Sequence, residues 1–122
     1  MIESGLQKKL KILLLGPNGQ LGKSLKNHLE SFHEIECVDK KKFDFLNPAN
    51  FSDILKKSKP SLVINTAAYT DVEGAESNEK LANQINSEAL KYIASACEAL
   101  DLTLLHFSTD YVFDGYKNTP YL

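Results

Sequence analysis

Residues 10–22, LKILLLGPNGQLG, run from a block of apolar residues straight into glycines at 16, 19 and 22. An apolar strand that stops at a glycine and continues into a helix-forming stretch is the strand–turn–helix junction that opens a βαβ unit. In such a junction Gly16 would permit the tight turn and Gly19 would let backbone N–H groups approach a pyrophosphate. Gly22 would let helix and strand pack closely. The anion would then sit at the positive end of the helix dipole, held by N–H groups that the helix leaves unpaired. A plain strand-to-helix loop would use the same glycines, so the rest of the chain must supply the context.

That context is an alternation of strand and helix signals. Leu21, Leu25, His28, Leu29 and Phe32 fall at helical spacing within residues 19–32 and predict one apolar stripe. Residues 35–39 read as a second strand. Pro48, followed by Phe51, Ile54 and Leu55, predicts a helix that ends near Ser58, before Pro60. Residues 61–66, SLVINT, have the nearly continuous apolar character of a strand covered on both faces. Residues 75–100 favour helix, with Leu81, Ile85, Leu90, Ile93, Ala94, Cys97 and Leu100 facing the core and Ser87 as a cap that restarts the helix, giving two abutting segments. Residues 102–107, LTLLHF, supply a fourth strand; residues 108–122 are loop-like, and residues 1–9 form a flexible polar leader. The order β-α-β-α-β-α-β with helical connections predicts an α/β fold over residues 10–122, a doubly wound parallel (Rossmann-like) sheet with right-handed crossovers. The expected strand order is 3-2-1-4, with ligands across the carboxyl ends of the strands at a switch point between strands one and four.

Composition narrows the class of partner. A chain of 122 residues has room for one domain. With 14 Lys and Arg against 16 Asp and Glu there is no broad basic surface for nucleic acid, and Lys40, Lys41 and Lys42 read as a solvated loop. The apolar run at residues 12–15 is far too short for a membrane span or a signal-peptide core, so the expected setting is cytoplasmic. Cys37 and Cys97 lack any Cys-x-x-Cys spacing and are expected as reduced, half-buried thiols; His28, His33 and His106 form no metal-ligand pattern.

The strand ends carry the candidate chemistry. Asp39 closes the second strand 23 residues beyond Gly16, near the spacing at which an acid hydrogen-bonds an adenosine ribose, although a strand-ending Asp also serves as a turn residue. Asp39 would repel a 2′-phosphate while Lys40 to Lys42 would attract one, so the pattern leans to NADH and leaves NADPH open. Asp44 and Phe45 would meet the adenine, with core packing the competing role for Phe45. Ala67 and Ala68, between Asn65-Thr66 and Tyr69, leave room for the cofactor beside the chain or serve ordinary close packing.

The fourth strand leads into Ser108-Thr109-Asp110-Tyr111-Val112-Phe113-Asp114-Gly115. Taken with GPNGQLG, VINTAAYTDVEGAESN and the Asn86 of QINSEA, this segment resembles the dTDP-4-dehydrorhamnose reductases of the extended short-chain dehydrogenase/reductase group, over about residues 10–121. The resemblance implies reduction of the 4-keto group of a nucleotide-linked 6-deoxysugar by NADPH or NADH, the last step toward dTDP-L-rhamnose. It places Gly19, Gln20 and Leu21, within the turn that also holds Gly16, Asn18 and Gly22, at the pyrophosphate. Asp39 falls at the ribose, Asp44 and Phe45 at the adenine side, and Ala67, Ala68 and Tyr69 at the middle of the cofactor, with Ser108 also on the cofactor side. Thr109 becomes the hydroxyl of the catalytic triad, hydrogen-bonding the substrate oxygen as hydride arrives. Asn86 would organise the helix beneath the site, or serve as a buried helix-junction amide.

The same group completes its triad with a tyrosine four residues before a lysine, the tyrosine donating the proton. No Tyr-x-x-x-Lys occurs here: the residues four beyond Tyr69, Tyr92, Tyr111 and Tyr116 are Glu73, Ala96, Gly115 and Pro120. The expectation is therefore a cofactor-binding portion, incomplete at its C-terminus and lacking the sugar-nucleotide subdomain, or else a non-catalytic dinucleotide-binding module. An apolar fourth strand left at the sheet edge would pair with a second copy or with a C-terminal partner chain.

Overall fold

The computed structural model describes residues 8–68 and 79–107. Strand β1 spans Lys11–Leu15, helix α1 Gln20–Leu29 and strand β2 Glu34–Val38. A 3-10 turn at Pro48–Asn50 feeds helix α2, Phe51–Ser58, and strand β3 follows at Leu62–Asn65. Helix α3, Glu79–Ala99, leads into strand β4, Thr103–His106. All pairings are parallel, so each strand delivers its carboxyl end to the same side of the sheet.

The strand order is β2-β1-β3-β4, which corrects the expected 3-2-1-4. After β2 the chain turns back past β1 and lays β3 against its other side, pairing Leu13 with Val63 and Leu15 with Asn65. A right-handed connection that reverses its direction of progress must carry its helix on the opposite face of the sheet. The core divides accordingly. Leu25 and Leu29 of α1 pack on Ile12, Leu14 and Ile64, while Phe51 and Leu55 of α2 and Ile93, Ala96 and Cys97 of α3 pack on Leu13, Leu15 and Val63. Alternate residues of β1 and β3 are thus buried on both faces, as their apolar runs predict. The reversal also moves the switch point: the crevice lies between β1 and β3, not between strands one and four.

Helix α3 is continuous through Ser87, whose exposed position on the helix surface calls for no cap. Its inward side is built from Ala89, Ile93, Ala96 and Cys97, whereas Leu81, Ala94 and Leu100 are exposed. Small residues let α3 approach α2 and the sheet closely, an outcome that large-residue periodicity alone does not signal. On α1, the stripe narrows to Leu25 and Leu29; Leu21 and Phe32 are exposed. Burial raises the Cys97 thiol to about 11, so it stays protonated at neutral pH. Toward the amino ends of the strands, Ser58 Oγ donates to Glu36 Oε1 at 2.6 Å and Lys11 Nζ lies 3.4 Å from the same oxygen. The Ser58 hydrogen bond, assisted by Lys11, holds the Glu36 carboxyl below its ordinary range despite some desolvation.

Candidate functional site

The junction between β1 and α1 has the close tolerances that its glycines predict. Gly16 takes φ +84°, and a Cβ there would stand 2.5 Å from Thr66 Oγ1 and 2.8 Å from the Ala67 nitrogen. A Cβ on Gly22 would fall 1.8 Å from the Gly16 carbonyl oxygen, so only glycine lets the first turn of α1 sit on the end of β1. Gly19 differs: among the described residues a Cβ there would meet only the same oxygen, at an ordinary contact distance of 3.9 Å. Gly19 is the N-cap of α1 and makes no side-chain cap, so among the described residues no capping side chain takes the first-turn N–H groups at Gln20, Leu21 and Gly22.

This turn forms one wall of a cavity of about 680 Å³ over the carboxyl ends of β1, β2 and β3. Gly16, Pro17, Asn18 and Gly19 line it on one side and Thr66, Ala67 and Ala68 on another. The loop after β2 supplies Asp39, Lys40, Phe43, Asp44, Phe45 and Leu46. Gln20, Leu21 and Gly22 are not on the lining; they form the helical turn directly behind Gly19. Tyr69, Ser108 and Thr109 lie outside the described residues.

The two loop carboxylates hold their own backbone. Asp39 Oδ1 accepts from Lys41 N at 3.0 Å and Lys42 N at 3.3 Å, and Asp44 Oδ1 accepts from Leu46 N at 2.9 Å. Asp39 therefore acts as a turn residue while standing on the cavity wall, and only its Oδ1 is engaged among the described residues. Phe45 likewise has both of its expected environments: it packs edge-on against buried Phe43, with ring centroids 5.6 Å apart, and it lines the cavity.

Thr66 and His106, which sequence reasoning did not single out as site residues, matter to the geometry. Thr66 Oγ1 donates to the Leu15 carbonyl at 2.9 Å and lies 3.1 Å from that of Gly16, tying the ends of β3 and β1 across the switch point. A second cavity of about 270 Å³ shares Phe45, Thr66, Ala67 and Ala68 with the first and adds Asn86, Ser87 and His106. A recess of about 380 Å³ beside α1 brings Lys23, Lys26 and Cys37 next to Asn18 and Asp39. A polar residue closing an apolar strand, as Asn65-Thr66 and His106 do, was the available signal.

Residues 10–122 match the family model described as RmlD substrate binding domain. The chain belongs to the dTDP-4-dehydrorhamnose reductase (RmlD) family. It is 38% identical over 113 residues to the dTDP-4-dehydrorhamnose reductase of Burkholderia thailandensis, covering 93% of this chain and 38% of that protein. A crystal structure of a dTDP-4-dehydrorhamnose reductase ortholog from Clostridium acetobutylicum superposes with a TM-score of 0.73 at 36% identity, over 91% of this chain and 40% of that one. The Bacillus anthracis dTDP-4-dehydrorhamnose reductase, solved in complex with NADP, gives 0.68 at 33% identity over 80% and 35% of the two chains. The fold of this RmlD-family chain is thus Rossmann-like, and the chain spans about two fifths of the length of the relatives it matches. Among the described residues no helix is long and apolar enough to cross a membrane.

Proposed function

We propose that this chain holds NADPH or NADH across the carboxyl ends of β1, β2 and β3, as the cofactor-binding part of an enzyme that reduces the 4-keto group of a dTDP-4-dehydro-6-deoxysugar. The observation that carries the reading is the contrast between Gly22, closed against Gly16, and Gly19, open to a cavity of about 680 Å³. A turn so packed behind and empty in front, at an uncapped helix N-terminus, fits a pyrophosphate. Asn18, Gly19, Gln20 and Leu21 would then receive the phosphates, with Gly16 and Gly22 shaping the turn. Asp39 would take the ribose through its Oδ2, and Lys40 on the same wall would receive a 2′-phosphate, in keeping with the NADP held by the Bacillus anthracis relative. Asp44 and Phe45 would border the adenine, and Ala67, Ala68, Tyr69 and Ser108 the rest of the cofactor.

A bound nicotinamide cofactor supplies hydride. By its match to the family motif, Thr109 would hydrogen-bond the substrate oxygen and stabilise the charge that develops there. Proton donation would fall to a group outside this sequence, which contains no Tyr-x-x-x-Lys. A second reading is a dinucleotide-binding module without catalysis, since the turn and strand ends that line the cavity need no proton donor to hold a cofactor. Free Cys37 and Cys97 suit the reducing cytoplasm in which nucleotide-sugar reduction would run.

Calorimetric titration with NADPH and NADH tests the reading: saturable binding of at least one is expected, and failure of both to bind folded protein would contradict it. Assaying 4-keto reduction with and without a supplied C-terminal portion of a relative separates the two roles. Turnover only with that portion supports the reductase, turnover in neither case the module. Turnover by the chain alone would contradict the assignment of the proton donor.

A further inference from the structure

Asn65 and His106 stand opposite one another in the β3–β4 register, at the carboxyl ends of both strands. Asn65 is only 1% exposed, so its carboxamide must find its partners within the protein. The Ala67 backbone N–H lies 3.0 Å from one of its terminal atoms and can only donate, which identifies that atom as the oxygen, Oδ1. The other atom is then the NH2 nitrogen, and it lies 3.0 Å from His106 Nδ1. An NH2 group offers only protons, so Nδ1 must present its lone pair. Exchanging the two carboxamide atoms would point Nδ2 at the Ala67 N–H, donor against donor.

We infer that the Asn65 carboxamide holds His106 as the neutral tautomer protonated on Nε2, and that the pair positions the carboxyl ends of β3 and β4 for dinucleotide binding. The chain of bonds is continuous. His106 Nδ1 accepts from Asn65, Asn65 accepts from Ala67, and Ala67 lies on the walls of both the 680 Å³ and the 270 Å³ cavities. Thr66, between them, fastens the same strand end to Leu15 and Gly16. Replacing the ring by an apolar side chain removes the acceptor that Asn65 Nδ2 has in the fold and frees the carboxamide to turn away from Ala67. His106 is thus a positioning residue, acting on the cavity through Asn65. The tautomer stands independently of the proposed function; the effect on binding rests on it.

The tautomer can be read directly from long-range 1H–15N correlation spectra of the His106 ring in the ligand-free chain. Protonation on Nε2 is expected, and a neutral ring protonated on Nδ1 would overturn the inference. Asn65→Asp presents an oxygen where Nδ2 stood, so His106 should then carry a proton on Nδ1; an unchanged ring spectrum would also overturn it. In NADPH titrations His106→Leu should weaken binding about five- to tenfold, the worth of one hydrogen bond. His106→Asn, which keeps an acceptor, should recover most of the loss. Wild-type affinity in His106→Leu, or no recovery in His106→Asn, would overturn the positioning role. If the wild-type chain binds no dinucleotide, the proposed function fails while the ring spectrum still decides the tautomer.

Discussion

At the residue scale two glycines of the β1–α1 junction have opposite surroundings. Gly22→Ala would drive a Cβ into the Gly16 carbonyl, 1.8 Å away, and backbone cannot yield there as a flexible side chain would. A loss of about 2–4 kcal/mol of stability is expected in thermal or denaturant unfolding. Gly19→Ala meets, among the described residues, only the Gly16 carbonyl oxygen at an ordinary contact distance of 3.9 Å and should keep stability within about 1 kcal/mol, yet it adds a methyl to the cavity-lining turn and should weaken dinucleotide binding about tenfold or more, a loss of roughly 1.4 kcal/mol. Glu36 provides a test unrelated to the site. Its folded carboxyl is held below the ordinary value, so its contribution is fully present at neutral pH and is lost as pH falls through the lowered folded value. With its side chain 34% exposed, screening limits that contribution to at most about 1 kcal/mol. Glu36→Gln should therefore destabilise slightly at pH 7 and flatten the acid limb of a stability–pH profile.

At the scale of elements, the two-sided core makes some helix positions costly and others indifferent. Phe51 of α2 is fully buried and meets Phe43 with ring centroids 4.9 Å apart, so Phe51→Ala should cost about 3–4 kcal/mol in unfolding experiments. Leu81→Ala, on the exposed start of α3, should stay within about 0.5 kcal/mol. The contrast marks what was legible in the chain. The strands at 11–15, 34–38, 62–65 and 103–106 follow from local apolar runs and turn residues, and so do the glycine junction and Asp39 at a strand end. Strand order is not local: both sides of β1 are equally apolar, and only the face taken by α2 decides where β3 lies. Helix α3 misled for a related reason, since its buried Ala89 and Ala96 face close neighbours that periodicity of large side chains does not register. The same limit hid Thr66 and His106, whose roles arise from partners 51 and 41 residues away in sequence.

At the scale of the whole molecule, the described sheet has β4 on one edge, paired with β3 alone among the described residues. Leu104 packs into the α2–α3 side, and Leu105 therefore faces the α1 side, where it stays 45% exposed. An apolar edge strand of this kind recruits another strand. The chain on its own is expected to associate with increasing concentration in sedimentation velocity, and Leu105→Lys should reduce the association; a monodisperse monomer at every concentration would show that the edge is otherwise protected. In the proposed function the glycine turn and the strand ends form one dinucleotide site. Titrating NADPH into 15N-labelled protein and following every backbone amide tests it most directly. Saturable shifts are expected, concentrated at Gly19, Gln20, Leu21, Asp39, Ala67 and Ala68, with the amino ends of the strands unmoved. Shifts elsewhere with those amides silent, or no saturable shift with either NADPH or NADH, would contradict it.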